Sequence, residues 1–249
     1  MRIVPVPLSR LPLPVMNPAC GLEGFCQAVE LCQGPGTGQL ACVRQKISRG
    51  DILVQVGERL SAVYPIRDGS FKADAVGDKG HLQVMGFYFR GEIAGLDGIA
   101  NGSYCSRVIA LEDSEVCVIP FAQLERACRF SPDLQRRFLR KLSGEITMQQ
   151  NMMLVLGSLS AEERIASFLL ELGSRFLARG DSFAELHLSM TREDIGSYIG
   201  STLETVSRVF SRFNERGLLS VHGKHICLLD IPALQRLCGQ SERADQGKL

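Results

Sequence analysis

The sequence predicts an α+β protein. It begins with a β-roll (a double-stranded β-helix or jelly roll), continues through a long dimerisation helix and ends in a winged helix-turn-helix. Three observations support this prediction. Short apolar runs alternate with turn residues over 46–120, a heptad pattern follows over 132–159, and a helix, a glycine turn and a second helix follow position 190. The expected segments are a Pro/Gly-rich, cysteine-containing N-terminal arm (1–45), the β-roll (46–130), the dimerisation helix (131–159) and the winged helix-turn-helix domain (160–249).

Composition limits the classes of function. The chain has 249 residues and a formal net charge of +1, so it is long enough for one large domain or two smaller ones. The near-neutral charge excludes an overall electrostatic clamp, so any affinity for DNA must be local. No apolar run reaches membrane-spanning length, and prolines interrupt the N-terminal apolar stretch, so we expect neither a membrane partner nor a signal peptide. We expect a cytoplasmic protein whose nine cysteines are reduced, and they are then packing residues, metal ligands or redox thiols.

The β-roll is predicted from apolar runs of strand length that are bounded by turn signals such as Gly57, Gly91 and Asn101-Gly102. The predicted strands cover 52–56, 62–66, 82–89, 106–111 and 116–119. After Pro120 the pattern becomes helical, and it predicts a short helix over 121–129.

A long helix is predicted from Pro132 to about position 159, with apolar positions that alternate by three and four. The seam consists of Leu139, Leu142, Ile146, Gln149, Met153 and Leu156. A helix buried within its own domain is the alternative. The narrow seam and its single polar break at Gln149 favour pairing with a second copy, because a helix buried against its own domain usually has a wider apolar face.

The C-terminal segment predicts a helix-turn-helix with a wing. Ser160-Ala-Glu-Glu163 is a capping box that opens the helix which follows it, and Thr191 with Asp194 resembles another capping box at the start of the motif. Gly200 supplies the turn, and Ser201 or Thr202 can cap the second helix. Val206, Val209, Phe210 and Phe213 form its apolar stripe, and 218–221 and 226–229 form a hairpin. The alternative is a pair of packed helices with a solvated charged face.

The polar face of the second helix has the chemistry of a DNA reader. Arg208 can bond bidentately to guanine, Glu204 can accept from a cytosine amine, and the small Ser207 permits close contact. Arg212 follows one turn later as a phosphate contact. Thr191 and Thr202, at the two helix starts, complete the predicted DNA-binding set.

Several motifs together resemble the CRP/FNR family of bacterial transcription regulators over about residues 46–238, and the FNR (anaerobic) branch more than the cyclic-AMP branch. They are Met190-Thr-Arg-Glu-Asp-Ile-Gly-Ser-Tyr-Ile-Gly, Glu204-Thr-Val-Ser-Arg208, Leu142-Ser-Gly-Glu145, Ala161-Glu-Glu-Arg164 and Glu115-Val-Cys-Val-Ile-Pro120. The resemblance implies a homodimeric transcription activator, not an enzyme, with double-stranded DNA and RNA polymerase as partners. It also implies the palindrome TTGAT-N4-ATCAA as the target.

The resemblance also bears on the signal that the β-roll, as a sensory domain, detects. Cyclic-nucleotide binders of the family carry Arg-Ser/Thr-Ala where this chain has Tyr104-Cys105-Ser106, so no cyclic nucleotide is expected. FNR-type oxygen sensors bind a [4Fe–4S] cluster through three N-terminal cysteines and one β-roll cysteine. This implies Cys26, Cys32 and Cys117 as ligands.

The first N-terminal ligand departs from the family pattern, because Glu23 stands at its position. Cys20 is the nearest replacement and is taken as the fourth ligand, and Cys42 is a possible substitute. The other four cysteines of the later chain are expected to be packing residues. They are Cys105, Cys128, Cys227 and Cys238.

Two other functions remain open. The first is a DNA-binding regulator of the same kind that has no cluster. Its signal would be haem, nitric oxide or thiol oxidation, or it would bind DNA constitutively. The second is a metal or thiol redox enzyme that uses the cysteines. The sequence has no Cys-x-x-Cys motif, dinucleotide fingerprint or nucleophile elbow to support that enzyme.

Overall fold

The computed structural model describes residues 42–77 and 80–238. They divide into two compact units, with the boundary after Ile146. The predicted N-terminal ligands Cys20, Cys26 and Cys32 lie outside the described residues. None of the helices in the described ranges has the length and apolar character needed to cross a membrane.

The first unit contains two four-stranded antiparallel sheets. Their strand orders are β1-β8-β3-β6 and β2-β7-β4-β5. The strands are β1 (Val43–Ile47), β2 (Ile52–Val54), β3 (Ala62–Asp68), β4 (Ser70–Val76), β5 (Leu82–Phe89), β6 (Ile93–Ala94), β7 (Arg107–Ala110) and β8 (Ser114–Pro120). One apolar core contains residues of both sheets, including Tyr64, Phe71 and Val118. Because side chains alternate along a strand, Cys117 and Ile119 of β8 face away from this core. The architecture confirms the predicted β-roll.

A second apolar cluster covers the outer face of the β1-β8-β3-β6 sheet. It joins Ile119 of β8 to Leu124 of helix α1 (Phe121–Phe130) and to Leu134 at the start of helix α2 (Pro132–Ser158). All three side chains are fully buried. Ile119, which lies two positions after Cys117 on the same face of β8, is therefore packed against the first turn of α2. Lys141 of α2 donates to the Gly91 carbonyl at 3.1 Å and fixes this helix further along its length.

The second unit holds the helix-turn-helix and its wing. Helix α3 (Ala161–Ala178) precedes α4 (Arg192–Ile199), α5 (Leu203–Glu215) and α6 (Ile231–Leu237). The wing strands β10 (Leu219–His222) and β11 (His225–Leu228) pair with β9 (Glu185–His187) in the order β10-β11-β9. The capping box between Ser160 and Glu163 is present at the start of α3, as predicted.

Several elements differ from the sequence prediction. Strands β1, β4 and β6 were not predicted, because the prediction relied on continuous apolar runs. Strand β1 has three polar residues between Val43 and Ile47, β4 contains Lys72 and Asp74, and β6 has two residues. Strand β1 begins at Val43, so the predicted end of the arm at position 45 falls inside a strand. Strand β9 and helix α6 were also missed. Cys105 was expected to pack in a core, but it is exposed and contacts backbone carbonyls of its own loop.

Candidate functional site

The first helix of the helix-turn-helix begins at a complete capping box. Thr191 Oγ1 accepts from the Asp194 backbone N–H at 3.0 Å, and the Asp194 carboxylate accepts from the Thr191 backbone N–H at 2.9 Å. The helix ends at Gly200, whose φ of 64° lies in the left-handed region that glycine tolerates. Both ends of α4 are thereby fixed by local chemistry, as the sequence predicted.

Helix α5 is the candidate reading helix. Its stripe of Val206, Val209, Phe210 and Phe213 is buried, as predicted. Thr202, rather than Ser201, is the N-cap, and its hydroxyl accepts from the Thr205 N–H at 3.2 Å. The polar residues predicted to read DNA share the opposite, exposed face. They are Glu204, Ser207, Arg208 and Arg212.

The charges of Glu204 and Arg208 suit base recognition. Arg208 Nε donates to the Glu204 backbone carbonyl at 3.4 Å. A backbone N–H, the Thr202 hydroxyl and the nearby Arg208 hold the pKa of Glu204 below its ordinary value. Glu204 is therefore ionised at neutral pH and accepts hydrogen bonds, while Arg208 offers donors.

Arg212 has a partner that the sequence did not reveal. Its guanidinium forms a salt bridge with Glu162 at the start of α3, and Arg216 approaches the same carboxylate at 3.7 Å. Glu162 thus neutralises part of the positive charge of Arg212 and Arg216 while the protein is free. A phosphate contact by Arg212 requires this pair to open or to be shared with the DNA.

Arg192 was not singled out in the sequence, although it begins the first helix of the motif. Its guanidinium lies 3.5 Å from the centre of the Phe210 ring, and burial lowers the pKa of Arg192 to about 10. Together with Ser207, Asn214 and Val221 it lines a cavity of about 260 Å³ between the reading helix and the wing. The cation–π contact stabilises the packing of α4 against α5.

Arg164 joins backbone carbonyls at the ends of two helices, α2 and α4. Its guanidinium donates to the carbonyls of Leu156 (2.7 Å), Leu159 (2.9 Å) and Ile199 (3.1 Å), and more weakly to that of Gly200 (3.3 Å). Helix ends leave such carbonyls without intrahelical partners. One side chain therefore satisfies the end of α2 and the end of α4.

The thiols of Cys42 and Cys117 are neighbours on the outer sheet face. Cys42 immediately precedes β1, and Arg44 of β1 lies directly opposite Cys117 of β8. A side-chain hydrogen bond to Cys117 and burial raise the pKa of the Cys42 thiol, while Arg67 and Arg44 act in the opposite direction. Arg67 Nη1 lies 3.9 Å from Cys117 Sγ. No group of three or more His, Cys, Asp or Glu suited to a metal occurs within 42–77 and 80–238.

An aromatic ring stands at the position where the resemblance to the family's cyclic-nucleotide binders implies a phosphate-binding arginine. Tyr104 is buried, and its hydroxyl donates to the Ala62 carbonyl at 2.7 Å. Its ring centre lies 6.5 Å from that of Tyr64, and both belong to the core of the roll. The nearby cation Arg107 is held by Asp74 through two hydrogen bonds of 2.8 and 2.9 Å.

The predicted dimerisation seam is exposed in the single chain. The exposed fractions are 55% for Leu139, 60% for Ile146 and 73% for Met153, and Gln149 is also exposed. Leu142 is half-buried, and Leu156 is 36% exposed. A row of apolar side chains on one face of a helix favours contact with a partner.

Comparisons with known proteins agree with this geometry. The model of the Crp-like helix-turn-helix domain matches residues 163–237, and that of the cyclic nucleotide-binding domain matches residues 44–129. The transcriptional regulatory protein btr of Bordetella pertussis is 44% identical over 202 residues, which cover 81% of this chain and 84% of the relative. The fumarate and nitrate reduction regulatory protein of Escherichia coli is 40% identical over 80% of this chain and 79% of its own length.

Solved structures give the same result. FixK2 from Bradyrhizobium japonicum superimposes with a TM-score of 0.74 and 29% identity, over 80% of this chain and 98% of that one. The matched domains, their order and the identity to these regulators exclude a metal or thiol redox enzyme as the family. The chain belongs to the CRP/FNR family of DNA-binding transcription regulators, whose members act as homodimers.

Proposed function

We propose that this protein is an FNR-type regulator that reads a palindrome similar to TTGAT-N4-ATCAA. The single observation that supports this reading most is the exposed face of α5, where Glu204, Ser207 and Arg208 lie over a fully buried stripe. This placement leaves all three side chains available to base edges in a major groove. The two-fold symmetry of a homodimer matches the two half-sites of the palindrome.

Fluorescence anisotropy with labelled duplexes tests the proposed target. Affinity is measured for the palindrome and for duplexes in which one base pair of each half-site is replaced. We expect a loss of about 1–3 kcal/mol for each mismatched pair, at fixed salt. Equal affinity for the palindrome and for a scrambled duplex would exclude this target.

For the signal, we propose oxygen or redox sensing through a cysteine-ligated [4Fe–4S] cluster. The predicted ligands are Cys26, Cys32 and Cys117, with Cys20 as the fourth and Cys42 as its substitute. The described ligand, Cys117, fits this chemistry because thiolates ligate such clusters and because Arg67 beside it offsets negative charge. When bound, the cluster would supply reactivity toward oxygen. Cys117 would hold it on the sheet face that packs on the start of α2.

Spectra of anaerobically purified protein test this sensing proposal. We expect a broad visible absorption band together with iron and inorganic sulfide, and we expect all three to decline in air. Protein purified without air that contains neither iron nor sulfide would contradict the cluster. It would leave the DNA-reading proposal intact and favour a regulator with a different signal.

The proposed function also covers the role of cyclic nucleotides and the partners of the protein in the cell. We propose that cyclic nucleotides are not its signal, because Tyr104 and Tyr64 occupy the core of the roll. Isothermal titration with cyclic AMP and cyclic GMP tests this. RNA polymerase as a partner, activation rather than repression, and a cytoplasmic location are further predictions of this function.

A further inference from the structure

We propose that the sheet of β9, β10 and β11 binds a divalent transition-metal ion such as Zn²⁺ through the imidazoles of His187 and His225. The site lies within the C-terminal unit. It is independent of the proposed iron–sulfur cluster and of the proposed DNA target, because it uses none of the residues assigned to them.

The first support is the register of the three strands. His222 of β10 lies opposite His225 of β11, and His225 lies opposite His187 of β9. Residues directly opposite one another in adjacent strands have their side chains on the same face of the sheet. Three of the four histidines of the chain therefore form one row across the sheet, and all three are exposed. The adjacent row faces the other side and includes the buried Ile226 and Leu186, so the histidine row is on the solvent side.

The second support is the distance between the rings of His187 and His225. Their centres are 4.7 Å apart, and the ring planes are inclined by 59°. Two imidazoles that bind one ion through nitrogens at about 2.0–2.1 Å, with about 90–110° at the metal, have centres roughly 4.5–5.2 Å apart. The observed separation falls within this range. Both rings can therefore ligate one ion after no more than rotation about their side-chain bonds.

The third support is the chemistry of the surrounding face. Imidazole nitrogens are common ligands of Zn²⁺, Ni²⁺ and Cu²⁺. Glu185 and Cys227 form the neighbouring row on the same face, and the Glu185 carboxylate offsets part of the charge of a dication. In the part of the chain that the structure describes, no third His, Cys, Asp or Glu completes the pair. Water would therefore fill the remaining coordination positions, as in an open zinc site.

A bound ion would join β9, which precedes the helix-turn-helix, to the wing strand β11. His187 and His225 are far apart along the chain and meet only when the sheet is folded. Binding of the ion would therefore stabilise the folded sheet that carries the wing, because the unfolded chain lacks the paired ligands.

Zinc binding to the full-length protein tests the site. The nine cysteines also bind zinc, so the assay compares variants rather than absolute amounts. Equilibrium dialysis followed by metal analysis gives the zinc bound per chain. We expect His187→Gln and His225→Gln each to bind one equivalent less than the wild type. His222→Gln, from the same row, and Cys227→Ser, from the neighbouring row, are the matched controls and should bind the wild-type amount.

Two further measurements locate the ion. With Co²⁺ in place of Zn²⁺, the difference spectrum between wild type and His187→Gln should contain visible ligand-field bands without a thiolate-to-metal charge-transfer band. Hydrogen exchange, read by mass spectrometry, should slow in β9 and β11 when Zn²⁺ is added to the wild type. It should not change in His187→Gln. Circular dichroism verifies that each variant is folded.

Three outcomes would overturn the proposal. The first is equal zinc content in the wild type, His187→Gln and His225→Gln. The second is a thiolate band in the difference spectrum, or a loss of zinc in His222→Gln equal to that in His187→Gln, because either would place the ion elsewhere on this face. The third is hydrogen exchange in β9 and β11 that Zn²⁺ leaves unchanged in the wild type.

Discussion

Arg208 and Arg212 lie one turn apart on α5, yet their surroundings differ. Arg208 contacts its own helix backbone, whereas Arg212 is bound to Glu162 of α3. A guanidinium that projects from a reading helix can bond bidentately to a guanine edge, and one that is paired with a surface acid is more suited to exchange that acid for a phosphate. We therefore propose that Arg208 discriminates between bases and that Arg212 contributes general affinity.

Replacing Arg208 should affect sequence preference. We expect Arg208→Ala to lower affinity for the palindrome by about 1–3 kcal/mol and to relax preference at the contacted guanine. Arg212→Ala is the matched control, and it should weaken binding to all duplexes alike. Anisotropy titrations against the palindrome and its guanine-substituted form measure both. Unchanged base preference in Arg208→Ala would show that α5 is not placed in the groove as proposed.

Removing the acid that pairs with Arg212 should strengthen binding. Glu162→Gln removes the negative charge that pairs with Arg212 and that also lies near Arg216. We expect higher affinity for every duplex and a slope of log affinity against log salt that is steeper by about one, as for one added phosphate contact. Glu185→Gln, which removes an equal charge from an exposed position of β9, is the control. Equal salt slopes for Glu162→Gln and wild type would argue against the inhibitory role of this pair.

At the scale of elements, the turn between α4 and α5 depends on close backbone contact. A Cβ at Gly196 would lie 2.8 Å from the Ser201 carbonyl oxygen and 3.3 Å from the Thr202 carbonyl carbon. Glycine at this position lets the turn fold back directly onto α4. The following Gly200 then ends the helix in a left-handed conformation.

A methyl group at Gly196 should therefore disturb the motif. We expect Gly196→Ala to lower the free energy of unfolding by about 1–3 kcal/mol, because backbone atoms would have to shift. Urea denaturation, followed by circular dichroism, measures this. Gly157→Ala adds the same methyl to α2 where nothing lies within 4 Å, and it should be neutral or stabilising by up to about 1 kcal/mol. Equal stability of the two variants would contradict the packing described for the turn.

At the scale of the whole molecule, we propose that the seam of α2 determines how the dimer responds to its signal. The seam is apolar except for Gln149, and the resemblance to FNR-type regulators implies an aspartate in their pattern at this position. Two aspartates close to a dimer axis repel one another and lose hydration, whereas two glutamines can form a hydrogen bond across the axis. Dimerisation in this protein should therefore depend less on the cluster than the aspartate pattern implies.

We predict that the air-exposed protein remains substantially dimeric at micromolar concentration. Sedimentation velocity measures this, and Gln149→Asp is expected to shift the cluster-free form toward monomer. Gln150→Asp is a matched control, because it adds the same charge at the adjacent position outside the seam. A clean monomer in the wild type, or no shift in Gln149→Asp, would show that Gln149 does not stabilise the seam.

Much of the architecture was predictable because its signals are local. The capping residues Thr191 and Ser160, the turn at Gly200 and the periodic stripe of α5 each lie within a few positions along the chain. Such signals report backbone preference and one-sided burial, and the structure confirms them. Strands β1 and β4 were missed because charged residues interrupt their apolar patterns, although pairing with neighbouring strands stabilises them.

The sequence alone determined the order of the domains, the polar face of the reading helix, the seam and the set of cysteines available as ligands. Tertiary structure decided which distant residues meet. It brought Cys42 next to Cys117, Glu162 next to Arg212 and the Arg164 guanidinium next to the Ile199 carbonyl. No periodicity or spacing encodes these contacts, because each depends on how separate elements pack rather than on the conformation of one segment.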